Sequence, residues 1–151
     1  MNSGPTLQLG STGPDVKRVQ RIFVVRQEYP YDEIDGIFGP LTQSVVEQFQ
    51  SQNGLTVDGI VGPQTWAALP PDVDAPELAQ GATGPEVSRL QKGLTTVGTY
   101  TAAIDGDFGP LTTAAVREYQ QQRGITVDGI VGDQTWFVGA GAAGATLYSL
   151  S

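Results

Sequence analysis

One eight-residue pattern, Asp-Gly-x-[Phe/Val]-Gly-x-x-Thr, constrains the fold of this chain more than any other feature. It begins at Asp35, Asp58, Asp105 and Asp128, and ends at Thr42, Thr65, Thr112 and Thr135. Asp-Gly is a turn dipeptide, because aspartate bonds its own backbone and glycine accepts positive φ. The second glycine lets the chain bend closely. Pro40, Pro63 and Pro110 stand where a first helical residue belongs, since proline's missing N–H is not needed there. Each pattern therefore reads as a turn feeding a helix, with the apolar residue between the glycines plugged into a core.

The four patterns fall into two pairs. Residues 34–66 and 104–136 align at an offset of 70, with 22 of 33 positions identical. Upstream, Gly10-Ser-Thr-Gly-Pro-Asp-Val16 matches Gly81-Ala-Thr-Gly-Pro-Glu-Val87 at an offset of 71. One residue is gained or lost between, near Tyr29 and Tyr100. This is a tandem duplication, and two copies are too few for a solenoid. The expected organisation is one small domain at 7–69, a linker at 70–76, a second domain at 77–139 and a low-complexity tail at 140–151.

Each copy of about 65 to 70 residues is near the lower size for a core without staples. The chain has neither cysteine nor histidine, which removes disulfides, thiol chemistry, ordinary zinc sites and histidine-dependent catalysis. The net charge is −8 and no basic patch is visible, so nucleic acid is not an expected partner. No apolar run approaches a membrane span. The start, Met-Asn-Ser-Gly-Pro-Thr, lacks the basic and apolar regions of a signal peptide. The reading allows a removed signal, another export route, or no general export.

In chain order, residues 1–6 read as a flexible lead. The first helix is expected from Pro14 to about Gln27, with Val16, Val19 and Phe23 on its inner face. Val87, Leu90 and Leu94 repeat that stripe, and Lys17, Arg18 and Arg21 read as solvated. The second helix is expected from Pro40 to Asn53, facing inward with Thr42, Val45, Val46 and Phe49; Thr112, Ala115, Val116 and Tyr119 repeat it. Gly54 and Gly124 suit left-handed C-terminal caps. A short third helix, Pro63 to Ala68, carries Trp66, and its counterpart carries Trp136. The prolines of 70–76 predict a semi-rigid spacer. No structure is assigned to the tail, although Leu147, Tyr148 and Leu150 are apolar enough to dock. The fold class is all-α: two three-helix orthogonal bundles, with short extended pairing near the Asp-Gly turns left open.

These residues resemble the peptidoglycan-binding domain family of the three-helix type. The likeness rests on Gly10 to Gln20, Ile34 to Thr42, Val46 to Gln50 and Gly54 to Trp66, and on their second copy from Gly81 to Trp136. Val19 stands where that pattern has leucine, Tyr119 where it has phenylalanine, and Asp133 where it has proline. The resemblance implies binding of bacterial peptidoglycan, through its glycan strand or stem peptide. Such domains usually accompany a catalytic domain, and none is visible in these residues.

Asp35, Asp58, Asp105 and Asp128 are candidate catalytic carboxylates by type, but a turn role accounts for all four. Hydrogen bonding to ligand is the better functional reading for them. Asp105-Gly-Asp107 hints at calcium, yet an EF-hand loop needs more spaced oxygens and a distal glutamate. No metal and no cofactor is expected. Trp66, Trp136, Phe38 and Phe108 read as core anchors. Tyr29, Tyr31 and Tyr100 are candidates for a surface role, with core packing an equal alternative. Gln20, Gln50, Gln91 and Gln120 follow an apolar helix position in both copies. Two readings of them stay open: amides for glycan hydroxyls or stem-peptide amides, or side chains tying loop backbone to helix.

The functional expectation is a non-catalytic protein that anchors a cargo or assembly to the wall, placing it at the cell wall or outside the cell. Its candidate ligand residues are Tyr29, Tyr31, Asp35, Gln50, Asp58, Tyr100, Asp105, Gln120 and Asp128. The alternative is a component of a phage-like or contractile injection particle that uses the same fold to bind protein. A hydrolase is disfavoured by the missing histidine and cysteine.

Overall fold

The computed structural model describes residues 3–26, 29–70, 75–138 and 146–151. The chain divides into two compact units, Met1–Val73 and Asp74–Ser151. Unit 1 holds α1 (Pro14–Arg26), one 3-10 turn at Tyr31–Glu33, α2 (Pro40–Gln52) and α3 (Pro63–Ala68). Unit 2 holds α4 (Pro85–Val97), α5 (Pro110–Arg123), α6 (Asp133–Phe137) and α7 (Leu147–Leu150). Gln27, the expected end of the first helix, residues 71–74 of the expected linker and 140–145 of the expected tail lie outside the described residues.

Helix starts follow the prolines: Pro40, Pro63, Pro85 and Pro110 all occupy the first turn of their helices. Helix ends follow the glycines. Gly124 closes α5 at φ 71°, and Gly54, just past α2, has φ 67°. The inner stripes are as expected. Val16, Val19 and Phe23 are sealed from solvent, as are Val87, Leu90 and Leu94, and the α2 and α5 stripes are buried with them. Phe38, Val61, Phe108 and Val131, the residues between the paired glycines, are buried plugs.

Among the described residues there is no strand, only four isolated antiparallel bridges: Leu7 to Val61, Thr12 to Ile37, Leu78 to Val131 and Thr83 to Asp107. They are the extended pairing left open above. In each unit the segment before the first helix lies along both Asp-Gly turns and pins them, with Leu7 and Val61 exchanging two backbone bonds of 3.1 and 2.8 Å.

Three expectations need correction. The lead is part of unit 1: the Trp66 indole N–H donates to the Pro5 carbonyl at 2.8 Å, and Gly4 lies against the indole ring. Pro76, assigned to the linker, does the same for Trp136 at 2.8 Å. A buried indole N–H needs such a partner, so Pro5 and Pro76 each pack with their unit. Arg18 is not simply solvated, because its guanidinium covers the Trp66 ring at 4.7 Å and pairs with Asp15 at 2.9 Å. The residues after 145 form α7, which packs on α4 and α6 and buries Leu147.

The first glycine of each pattern is held at positive φ: 74° at Gly36 and 76° at Gly106. A Cβ at Gly106 would meet Ser88 Oγ at 3.1 Å and the Gly84 carbonyl at 3.3 Å. Gly36→Val and Gly106→Val are each expected to destabilise their own unit by about 1–3 kcal/mol, the range for a β-branched residue forced to positive φ. Urea unfolding checks this, because each unit carries one buried tryptophan, Trp66 or Trp136, as its own fluorescence reporter.

Candidate functional site

The four Asp-Gly turns are built in one way. A glutamine from the preceding helix enters the turn, and the threonine that ends the pattern closes it. For the second turn, Gln50 Nε2 donates to Asp58 Oδ1 and to the Ile60 carbonyl, both at 2.9 Å. Gln50 Oε1 accepts the backbone N–H groups of Asp58 and Gly59 at 3.1 and 3.0 Å. Thr65 Oγ1 lies 3.2 Å from the same amide nitrogen. Asp58 Oδ1 also accepts the Ile60 N–H at 3.0 Å. An amide has two N–H donors and one acceptor oxygen, so this set uses the whole of the glutamine head group.

The other three turns repeat it. Gln20 Nε2 reaches Asp35 Oδ1 at 3.0 Å and the Ile37 carbonyl at 3.1 Å, and its Oε1 takes the Gly36 N–H at 3.0 Å. Gln91 bonds Asp105 Oδ1 at 3.0 Å and takes the Gly106 N–H at 3.0 Å. Gln120 bonds Asp128 Oδ1 at 2.8 Å and takes the Gly129 N–H at 3.0 Å. All four glutamines are buried. The structure therefore decides between the two open readings: these side chains tie loop to helix and present no free amide to a ligand. Gln50 and Gln120, offered above as ligand residues, are both buried in their clasps.

Two of the three candidate tyrosines also face inward. Tyr29 and Tyr100 are each only 4% exposed, so neither ring is open for stacking on a sugar. The Tyr29 hydroxyl lies 3.3 Å from Gln20 Nε2 and 3.0 Å from Thr42 Oγ1. Burial pushes that phenol above its ordinary pKa, opposed by its bonds to Thr42 and Gln20. Tyr100 bonds Gln91 in the same way at 3.2 Å and donates to the Ala103 carbonyl. Tyr31 is half-buried in the 3-10 turn. The surface role expected of Tyr29 and Tyr100 is thus replaced by support of the first clasp in each unit.

The four aspartates stay on the surface. The Asp58 carboxylate is held below its usual pKa by the Ile60 N–H first and the Gln50 amide second. Asp105 is lowered likewise by the Asp107 N–H and then Gln91. Neither shows the raised value a general acid requires. Among the described residues no three His, Cys, Asp or Glu side chains gather as a metal site. In Asp105-Gly-Asp107 the second residue's N–H donates to the first carboxylate at 3.0 Å.

One surface feature brings candidate residues together. A cleft of about 380 Å³ in unit 1 is lined by Gln50, Leu55, Thr56, Asp58, Ile60 and Gly62 to Thr65. Its lining comes from the clasp glutamine, the turn and the start of α3, and combines apolar Leu55, Ile60 and Pro63 with polar Thr56, Asp58 and Gln64. Gly62 was not singled out in the sequence. Its φ of −99° is open to any residue, and a Cβ there would meet nothing within 4 Å. It is the N-cap of α3, a position that glycine suits, and Gly39, Gly109 and Gly132 share its extended backbone and open surroundings at the other three turns. Each is the second glycine of its pattern, read above as a bend. In unit 2 the matching residues are Gln120, Ile125, Thr126, Asp128, Ile130, Gly132, Asp133, Gln134 and Thr135, so one proline becomes aspartate.

The model of the peptidoglycan binding domain matches residues 12–69 and again residues 83–137. The chain belongs to this peptidoglycan-binding family. The repeat read from the residues is therefore two peptidoglycan-binding domains in tandem, all-helical as expected. The chain is 39% identical over 106 residues to the N-acetylmuramoyl-L-alanine amidase CwlM of Mycobacterium tuberculosis, covering 66% of this chain and 26% of that protein. It is 28% identical over 162 residues to the amidase CwlL of Bacillus licheniformis, covering 89% of this chain and 45% of that protein. A spore cortex-lytic enzyme of Halalkalibacterium halodurans is 47% identical over 57 residues, 38% of this chain and 17% of that protein. The chain thus spans less than half the length of each of these relatives. Among the described residues of these peptidoglycan-binding domains, no helix is long and apolar enough to cross a membrane.

Two measurements check the clasp. Gln50→Leu leaves the N–H groups of Asp58 and Gly59 without their acceptor, at about 1–3 kcal/mol for each unsatisfied group. Unit 1 is then expected to melt roughly 10 °C or more below the parent, by the usual scaling for small domains. Unit 2, read through Trp136, is expected to be unchanged. The second check is pH. Because the folded carboxylates of Asp58 and Asp105 titrate below their unfolded value, their stabilising contribution is full above the unfolded pKa near 3.9. It is lost as pH falls through the lower folded value. Melting temperature is expected to drop below about pH 4, and Asp58→Asn is expected to flatten the drop for unit 1 while lowering its stability at pH 7.

Proposed function

We propose that this chain is a non-catalytic protein that binds peptidoglycan through two clefts, one in each unit, and holds an attached cargo on the wall. The observation that carries the reading is the unit 1 cleft, which brings Asp58 and the Gln50 clasp together with Leu55, Ile60 and the start of α3. A small cleft with mixed apolar and hydrogen-bonding lining suits a short, mostly neutral segment of wall polymer. The protein's own charge of −8 favours hydrogen bonds and apolar contact over salt bridges with an anionic wall. The family match and the wall-directed names of the relatives support peptidoglycan as ligand. The lowered carboxylates of Asp58 and Asp105, together with the matching of binding domains alone, support the non-catalytic reading.

If the matching residues of unit 2 bind as those of unit 1 do, two sites on one chain favour avidity on a repetitive polymer. Once one cleft is filled, the second binding event is intramolecular. Gly62→Thr and Gly132→Thr place a side chain at the cleft wall while keeping a good helix N-cap, so stability is expected to hold. Co-sedimentation with purified sacculi tests the reading. The parent is expected to pellet with the wall, each single variant to bind roughly 10- to 100-fold more weakly, and the double variant to stay in solution. No reducing ends or free amines are expected to be released. Parent-like binding by the double variant would overturn the cleft assignment, and failure of the parent to bind any wall preparation would overturn peptidoglycan as the ligand.

A further inference from the structure

Aligned helix to helix, α1 and α4 place Ile22 and Gly93 at the same position, two residues after the clasp glutamine. Ile22 is sealed in the core of unit 1. At Gly93 the side chain is missing, and Leu147 fills the place: a Cβ built at Gly93 would lie 2.8 Å from Leu147 Cδ1. A second pair of differences matches the first. Ala67 and Ala68 are exposed at the end of α3, whereas their counterparts Phe137 and Val138 are buried. Tyr148 covers this enlarged surface, its ring 5.2 Å from Phe137 and edge-on to Trp136 at 6.4 Å. Arg89 lies over the Tyr148 ring at 5.9 Å and bonds Ser151 Oγ at 3.3 Å. Thr146 caps the strap's own turn by accepting the Ser149 N–H at 3.0 Å.

We propose that the groove between α4 and α6 is a peptide-docking site whose occupant is the segment 146–151, a strap whose place the same sequence can take as a separate peptide. One buried leucine and one half-buried tyrosine are a small anchor, too small to hold a free peptide tightly. Seven residues, all glycine or alanine, separate Val138 from Thr146, and a tether this short supplies an effective concentration on the order of millimolar. Tethering therefore keeps the strap seated. When it leaves, Phe137, Val138 and the hollow at Gly93 form an apolar site matched to one leucine and one aromatic ring one residue apart. This inference is independent of wall binding.

The test uses the intact chain. Leu147→Ala is expected to lower the melting temperature of unit 2 by roughly 10 °C or more, with unit 1 unchanged. A capped synthetic peptide of residues 145–151, at about millimolar concentration, is expected to recover part of that loss. The same peptide with alanine at position 147 is expected to recover none. Gly93→Ile combined with Leu147→Ala refills the hollow from the helix, as in unit 1; this double variant is expected to melt above Leu147→Ala and to ignore the peptide. Should Leu147→Ala leave unit 2 unfolded, recovery of the folded state on adding the parent peptide and not the alanine peptide supports the docking groove, and no recovery overturns it. Parent-like melting of Leu147→Ala, or equal action of both peptides, overturns it as well.

Discussion

The fold depends on a neutral amide buried at the base of each turn. A turn that enters a small core brings several backbone N–H and C=O groups out of water, and each must find a partner. A charged side chain in that place would add a large desolvation penalty. Glutamine carries donor and acceptor on one uncharged head, on a stem long enough to reach from the helix into the loop. Its oxygen takes the N–H groups at the turn's corner and its nitrogen takes the carboxylate and the carbonyl beyond. With every partner satisfied, such a network specifies one arrangement of helix, turn and next helix. Four of them replace the disulfides that chains of this size commonly need.

On this shared frame the two units complete their cores differently. Unit 1 completes its core from residues up to its third helix, with Phe23 set against Tyr29 and Phe49 at 6.3 and 6.2 Å. Unit 2 has Leu94 where unit 1 has Phe23 and Gly93 where it has Ile22, and it borrows Leu147 and Tyr148 from beyond its third helix. The clasp geometry is the same in both, within a few tenths of an ångström for the bonds to aspartate. The packing around the clasps varies while the clasps do not.

Most of the local structure was legible in the residues. Proline at helix starts, glycine at helix ends and the apolar stripes at Val16, Val19 and Phe23 depend on neighbours a few positions apart, which a sequence displays directly. The glutamines were visible as a repeated feature, but a buried and an exposed amide look alike in sequence, and only the positions of Asp58 and Gly59 against Gln50 decide between them. The cleft was legible only through its components, because Gln50, Leu55, Asp58 and Thr65 are brought to one place by the fold. Pro5 and Pro76 escaped for a third reason, and Leu147 was legible as apolar enough to dock but not as the partner of Gly93. Their partners lie far along the chain: Trp66 is 61 residues from Pro5, and no local pattern records such a pair.

The position of the single inserted residue has a consequence for how this fold can be altered. Five residues lie between Tyr29 and Asp35, and four between Tyr100 and Asp105. Both ends of that loop are fixed by side chains bonding the same glutamine, so the register of the turn does not depend on how much chain runs between them. Unit 1 takes up its additional residue in the 3-10 turn at Tyr31–Glu33 without shifting the clasp. A segment held at both ends by side chains rather than by a backbone ladder can be lengthened with little strain on the core. The loop at residues 30–34 is therefore the natural place in unit 1 to graft a foreign peptide or a labelling tag.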